Sequence, residues 1–151
     1  MSQIPPDGPA APIVDAKRLW AGGVATALVA ALTAVVGLLI VRGLLDTPVI
    51  TPATAVGNSQ AGSLAIDAAI AALIATALLH VLLISTPRAS NFFRWIGVLA
   101  AIAAALWPFV NAATLATKIG SAAIYFAIGI AIVTLLTGVA ASARTTPQRR
   151  I

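Results

Sequence analysis

The sequence predicts an all-α fold, an integral membrane antiparallel four-helix bundle. Composition is the first reason. Hydrophobic residues make up 60% of the chain and charged residues only 9%. A soluble domain carries about 25% charged residues, so this chain cannot cover a water-facing surface. The second reason is four apolar runs of roughly twenty residues, each long enough to cross a hydrocarbon core as a helix. The third is the placement of basic residues at alternate ends of those runs.

The chain opens with Met1–Asp15, MSQIPPDGPAAPIVD. Four prolines and a glycine there argue against a helix, and residues 1–18 are expected to be a disordered cytoplasmic tail. Lys17 and Arg18 followed by Trp20 form a basic flank with an interfacial aromatic. The membrane domain is expected over residues 19–141, and its first span at about 19–41. That run is too long for a signal-peptide core. The small-x-small triplet Ala53-Thr54-Ala55 also lies more than about ten residues beyond it, so the run reads as a retained anchor.

Residues 42–63, RGLLDTPVITPATAVGNSQAGS, form the longest connection. Loops of this length in compact domains are often functional or mobile, and a plain linker is the equal alternative. Span two is expected at about 64–84. A polar hairpin over Ser85–Arg94 follows, in which Pro87 cannot donate a helical bond and biases Thr86 away from helix. Span three is expected at about 95–116, with Pro108 inside it. Thr117-Lys118 is read as a tight turn before span four at about 119–141. Residues 142–151 close the chain as a basic cytoplasmic tail.

Orientation follows from the basic residues. With a cytoplasmic N-terminus, Lys17, Arg18, Arg88, Arg94, Arg144, Arg149 and Arg150 lie inside, and Arg42 and Lys118 lie outside. This bias places both termini on the cytoplasmic side of a bacterial plasma membrane. The net charge of +5 is thereby used for topology, and no nucleic-acid partner is expected. The expected partners are the lipid bilayer and either a second copy or another membrane protein.

Lipid tails are as apolar as leucine, so close backbone approach must hold the helices together, and small residues mark the interfaces. Span one carries Gly22, Thr26, Ala30, Thr33 and Gly37 on one helical face. Span three carries Gly97, Ala101, Ala104, Pro108 and Asn111. Span four carries Gly120, Ala123, Ala127, Ala131, Thr134 and Gly138. All three faces are expected to meet another helix, within the bundle or, equally by these stripes, in a homo-oligomer.

Polar groups within spans are costly and mark candidate sites. Arg42, Asp46, Asp67, Asn111 and Lys118 fall at one depth, at the outer end. Their four charges cancel, so two readings stand: ordinary solvated helix ends, or a closed polar cluster capped by the loop from Pro48 to Gly62 and able to bind a ligand or partner. Arg42 and Asp46 pair if the helix continues that far. His80, the single histidine, is the candidate polar group near the inner end. There is no cysteine. With one histidine, no metal site is expected, and no cofactor. No nucleophile-base pair or paired carboxylates point to an enzyme. Ser121 and His80 lie at opposite edges.

Particular segments carry a resemblance: Leu19-Trp20-Ala21-Gly22-Gly23, the Leu79-His80 pair, and Thr86-Pro87-Arg88 followed by Phe92-Phe93 and Trp95. Through these, and over roughly Asp15 to Gly138, the chain resembles small actinobacterial four-span integral membrane proteins, the domain of unknown function 6069. The resemblance implies no activity and no catalytic residue. The expected role is a non-catalytic integral plasma-membrane protein, an accessory or scaffold subunit. A small oligomeric transporter or channel component is the alternative, and a membrane pH or lipid sensor acting through His80 is a third reading.

Overall fold

The computed structural model describes residues 15–51 and 59–143. The expected tails at residues 1–14 and 144–151, and residues 52–58 of the long connection, lie outside the described residues. Four helices run antiparallel: α1 at Ala16–Leu39, α2 at Gln60–Ser85, α3 at Ala89–Val110 and α4 at Leu115–Ala143. All four are long and apolar enough to cross a membrane. The chain is an all-α integral membrane four-helix bundle. One end of it, the terminal end, holds the start of α1, the α2–α3 turn and the end of α4. The other, the loop end, holds the α1–α2 connection and the α3–α4 turn.

Short polar side chains set the helix starts by accepting from orphan backbone donors. The Asp15 carboxylate accepts from the Arg18 N–H at 3.1 Å. The Ser59 hydroxyl accepts from the Gly62 N–H at 3.1 Å. At the start of α4, Thr114 Oγ1 accepts from the Thr117 N–H at 3.3 Å. That cap corrects the reading of Thr117-Lys118 as a turn. Both residues sit in the first helical turn of α4, and the reversal occupies 111–114. The Ser85–Arg94 hairpin also shortens, to Thr86, Pro87 and Arg88. Asn91 and Arg94 lie in the first turns of α3, where long polar side chains reach interfacial water from helical backbone. As a result α3 starts and ends about six residues earlier than the sequence suggested.

Within the bundle, α1 packs closely on α2 and α4, and α3 packs closely on α4. The small face of α1 points inward as expected. Thr26 and Ala30 are buried, and Gly37 lies in contact distance of Ile124. A Cβ on Gly22 would fall inside Val139, and one on Gly23 inside Thr76. The α3 face is also correct: Ala101 and Pro108 are buried, and Gly97 lies against Val133.

The α4 face is a correction. Gly120 meets Val41 and Ala131 is half-buried, but Ala123, Ala127, Thr134 and Gly138 are exposed. The inward face of α4 is instead Ser121, Ile124, Ile128, Ile132, Leu136 and Ala140. Branched side chains of α4 fit over the shallow small-residue surface of α1, which gives more van der Waals contact than two smooth faces would.

The α2–α3 seam is different. These helices are joined by a three-residue turn, yet they touch far less than the other neighbouring pairs. Between them lies an apolar cleft of about 480 Å³, backed by α4.

Candidate functional site

The loop end is built around a short non-helical strap. Helix α1 widens into a π-helical turn at Ile40–Leu44. Asp46 then takes the left-handed conformation, φ 44°, which aspartate tolerates better than most residues. The Thr47 N–H reaches back to the Val41 carbonyl at 3.2 Å, and Pro48 prevents any return to helix. Asp46 therefore terminates the helix. Its expected pairing with Arg42 needs a helix through both, and that helix ends between them. Arg42 Nη1 donates across to Gln60 Oε1 at 2.7 Å instead.

From Pro48 the strap runs against α4, with Val49 buried. Non-helical backbone at membrane depth must find partners within the protein, and this strap does. The Ile50 N–H donates to Ser121 Oγ at 2.9 Å. The Tyr125 hydroxyl donates to the Ile50 carbonyl at 3.0 Å. Ser121 and Tyr125 are four apart on one face of α4, so they bracket a single residue of the strap. From the other side, Gln60 Nε2 donates to the Val49 carbonyl at 2.7 Å. Gln60 thereby links Arg42 to the strap.

The five outer candidates share the loop end, where Arg42 and Asn111 hydrogen-bond to different partners. Arg42 belongs to the strap network. Asp46 ends the π-turn. Asn111 caps α3, its side-chain amide donating to the Trp107 carbonyl at 3.2 Å. Lys118 stands in the first turn of α4, its backbone N–H bonded to the Thr114 carbonyl at 3.0 Å. Asp67 lies on the wall of the α2–α3 cleft, whose lining also includes Tyr125. The residues that fasten the described part of the connection, Gln60, Ser121 and Tyr125, are not among the five candidates. One signal was available for them. The single tyrosine of the chain sits one helical turn from a serine inside an apolar run.

At the terminal end, His80 lies in α2, half-buried, and its Nδ1 is buried without a hydrogen-bond partner. It is remote from Ser121, one at each end of the bundle. Mid-span threonines turn inward on their own helices: Thr33 Oγ1 donates to the Val29 carbonyl and Thr134 Oγ1 to the Ile130 carbonyl.

The cleft is a groove rather than a sealed cavity. Leu64 and Asp67 stand at its loop end, and buried Phe93 closes it toward the terminal end. Its middle is lined by alanines of α2 and α3 and by Gly129 and Ile132 of α4.

No curated protein and no solved structure matches the chain. A family model does match, over residues 14–142, which takes in the four helices except the last residue of α4, together with the strap and the cleft. The chain belongs to the family of unknown function DUF6069.

Proposed function

We propose that this protein is a non-catalytic accessory subunit of the bacterial plasma membrane, with both termini in the cytoplasm, that offers the outer face of α4 to a second membrane-spanning helix. One observation carries the reading. Ala116, Ala123, Ala127, Thr134, Gly138 and Ala141 form an exposed face of small residues along α4. A Cβ on Gly138 would meet nothing within 4 Å. In lipid, small residues at such spacing let a neighbouring backbone approach closely, and the bundle's own helices use the opposite face of α4. The orientation rests on the excess of lysine and arginine at the terminal end.

The transporter alternative receives less support. Thr33 and Thr134, its mid-span polar groups, bond to their own helices.

The test is purification of the full chain in mild detergent with mass measurement of the intact complex. The expected result is a stoichiometric complex with a different membrane protein. An Ala127→Leu/Gly138→Leu double variant, equally stable as a bundle, should be recovered without that partner. Recovery of the wild-type chain only as monomers or homo-oligomers overturns the accessory role. A reporter fused to the C-terminus should read cytoplasmic.

A further inference from the structure

A second groove, at the loop end, supports an inference that does not depend on the accessory role. It lies between the end of α1 with its π-turn and the start of α2. Its volume is about 390 Å³, and its walls include Leu38, Leu39, Arg42, Gly43, Ser59 and Gln60. We infer that this groove seats the head of one anionic phospholipid, its phosphate on the Arg42 guanidinium and its chains running down past Leu38 and Leu39.

Depth selects a lipid over a soluble anion. Exposed Trp20 marks the interface at the terminal end. From there to Arg42 is roughly 33 Å at about 1.5 Å per residue, and a hydrocarbon core is about 30 Å thick. Arg42 therefore stands just past the hydrocarbon, at the level of the lipid phosphates. Exposed Trp107, near the loop end of α3, marks this second interface. Leu38 and Leu39 lie about one turn nearer the middle of the membrane. The groove is thus polar at headgroup level and apolar below it. A phospholipid matches both parts, whereas a free phosphate has nothing to offer the leucines.

Charge selects the kind of head. Arg42 is the one charged side chain among the described residues lining the groove, and none of Asp15, Asp46 and Asp67 lines it. Residues 52–58, PATAVGN, carry no charge in sequence. Arg42 Nη1 donates to a neutral amide, Gln60 Oε1, at 2.7 Å. That amide is anchored in turn, its Nε2 donating to the Val49 carbonyl at 2.7 Å. Gln60 therefore holds the guanidinium in place without neutralising it. The planar fork of a guanidinium can give a phosphate paired parallel bonds. Ser59 Oγ accepts from the Gly62 N–H at 3.1 Å, and its own proton is left to donate. On the open wall, a Cβ at Gly43 would meet nothing within 4 Å. A zwitterionic head would bring a second cation beside Arg42, and at the edge of the low-dielectric core that repulsion is weakly screened. An anionic head brings none.

The test is native mass spectrometry of the full chain released from maltoside micelles at pH 7. Dioleoyl phosphatidylglycerol and dioleoyl phosphatidylcholine are the probes, alike in chains and phosphate and different in net charge. The glycerol lipid should fill a first site at least about tenfold more tightly than the choline lipid. Arg42→Gln should remove that preference. Lys118→Gln removes a cation from the same end of the bundle but outside the groove, and should leave the preference in place. Gly43→Glu sets a carboxylate on the open wall and alters none of the strap's bonding side chains. It should abolish the tight site with the unfolding midpoint unchanged. Equal affinity for the two lipids overturns the assignment of the head. An equal loss of preference in Lys118→Gln and Arg42→Gln reduces the effect to general charge and overturns the site, as does full glycerol-lipid affinity in Gly43→Glu. Excess inorganic phosphate should not displace the lipid, and displacement would assign the groove to free phosphate instead.

Discussion

The seam between α1 and its neighbours and the seam between α2 and α3 are both lined with alanine and glycine, yet one is closed and the other open. Along α1, Gly22 meets Val139, Gly23 meets Thr76 and Gly37 meets Ile124. Each contact is a branched side chain seated in the notch of a missing one. Across the α2–α3 seam, Ala71 and Ala75 look toward Ala100 and Ala104 over empty space. Small residues permit close approach, but something must fill the notch. Where both walls are small, the gain in van der Waals contact is slight. Phe93, buried beside the short turn, also holds that end of the seam apart. The closed seam is therefore scaffold, and the open one is available to a guest.

The largest effect should come from forcing the closed seam apart. Gly23→Leu puts a branched side chain where fully buried Thr76 now sits. A loss of about 3 kcal/mol is expected, at the upper end for overpacking. Thermal unfolding in detergent reads this directly. Ala100→Leu, an enlargement on the open seam, should stay within about 0.5 kcal/mol of the parent, as exposed substitutions usually do. If both variants fell together, the contrast between the seams would be lost.

The strap gives the next largest effects. Ser121→Ala leaves the Ile50 N–H without its partner, and Tyr125→Phe does the same to the Ile50 carbonyl. Each should cost about 1–3 kcal/mol, the range for an orphaned buried polar group. Because both bonds hold one residue, the double variant should cost less than the two singles together. Strict additivity would mean that Ser121 and Tyr125 do not hold a common strap.

These contrasts also show what could be read from the sequence. The four spans were legible because lipid demands long unbroken apolar runs. Span ends were less so. Polar residues such as Asn91, Arg94, Thr117 and Lys118 look like turns, but at headgroup depth they remain helical. The inward face of α1 was legible because glycine pairs mark close approach. The inward face of α4 was not. In lipid the outside is as apolar as the inside, so hydrophobicity cannot separate Ala123 from Ile124. At the site, the charged residues drew attention and the neutral ones were missed. Gln60, Ser121 and Tyr125 bond to backbone groups of the strap, and no side-chain pattern reveals such partners.

A smaller effect separates the two polar regions of the loop end. Arg42 bonds to Gln60 in the strap network, while Asp67 stands on the cleft wall. Each single change to alanine acts on a different structure. Arg42 is exposed, so its loss should cost about 1 kcal/mol or less. The double variant should equal the sum of the singles within about 0.5 kcal/mol, as for independent sites. Unfolding of the four chains of the cycle measures this, and a coupling of 1 kcal/mol or more would rejoin the two regions into one cluster.

The smallest effect on the isolated bundle belongs to Gly138→Leu, and it bears on the accessory role most directly. Read from sequence, Gly138 closes an inward stripe, so leucine there should split the bundle. In the structure a side chain at this position meets nothing within 4 Å. Glycine is also a poor helix former, and replacing it by leucine in a helix interior is favourable by several tenths of a kcal/mol. The bundle alone should therefore be unchanged or slightly more stable, with an unfolding midpoint at or above the parent's. Gly23→Leu is the internal control, since it makes the same chemical change on the closed seam. The two variants should differ by about 3 kcal/mol or more, nearly all of it from what the new side chain touches. A Gly138→Leu chain that unfolds as easily as Gly23→Leu would return this face of α4 to the core and remove the surface on which the accessory reading stands. A chain that is stable alone but no longer held by its partner would show why glycine remains there, at a position the bundle itself does not need.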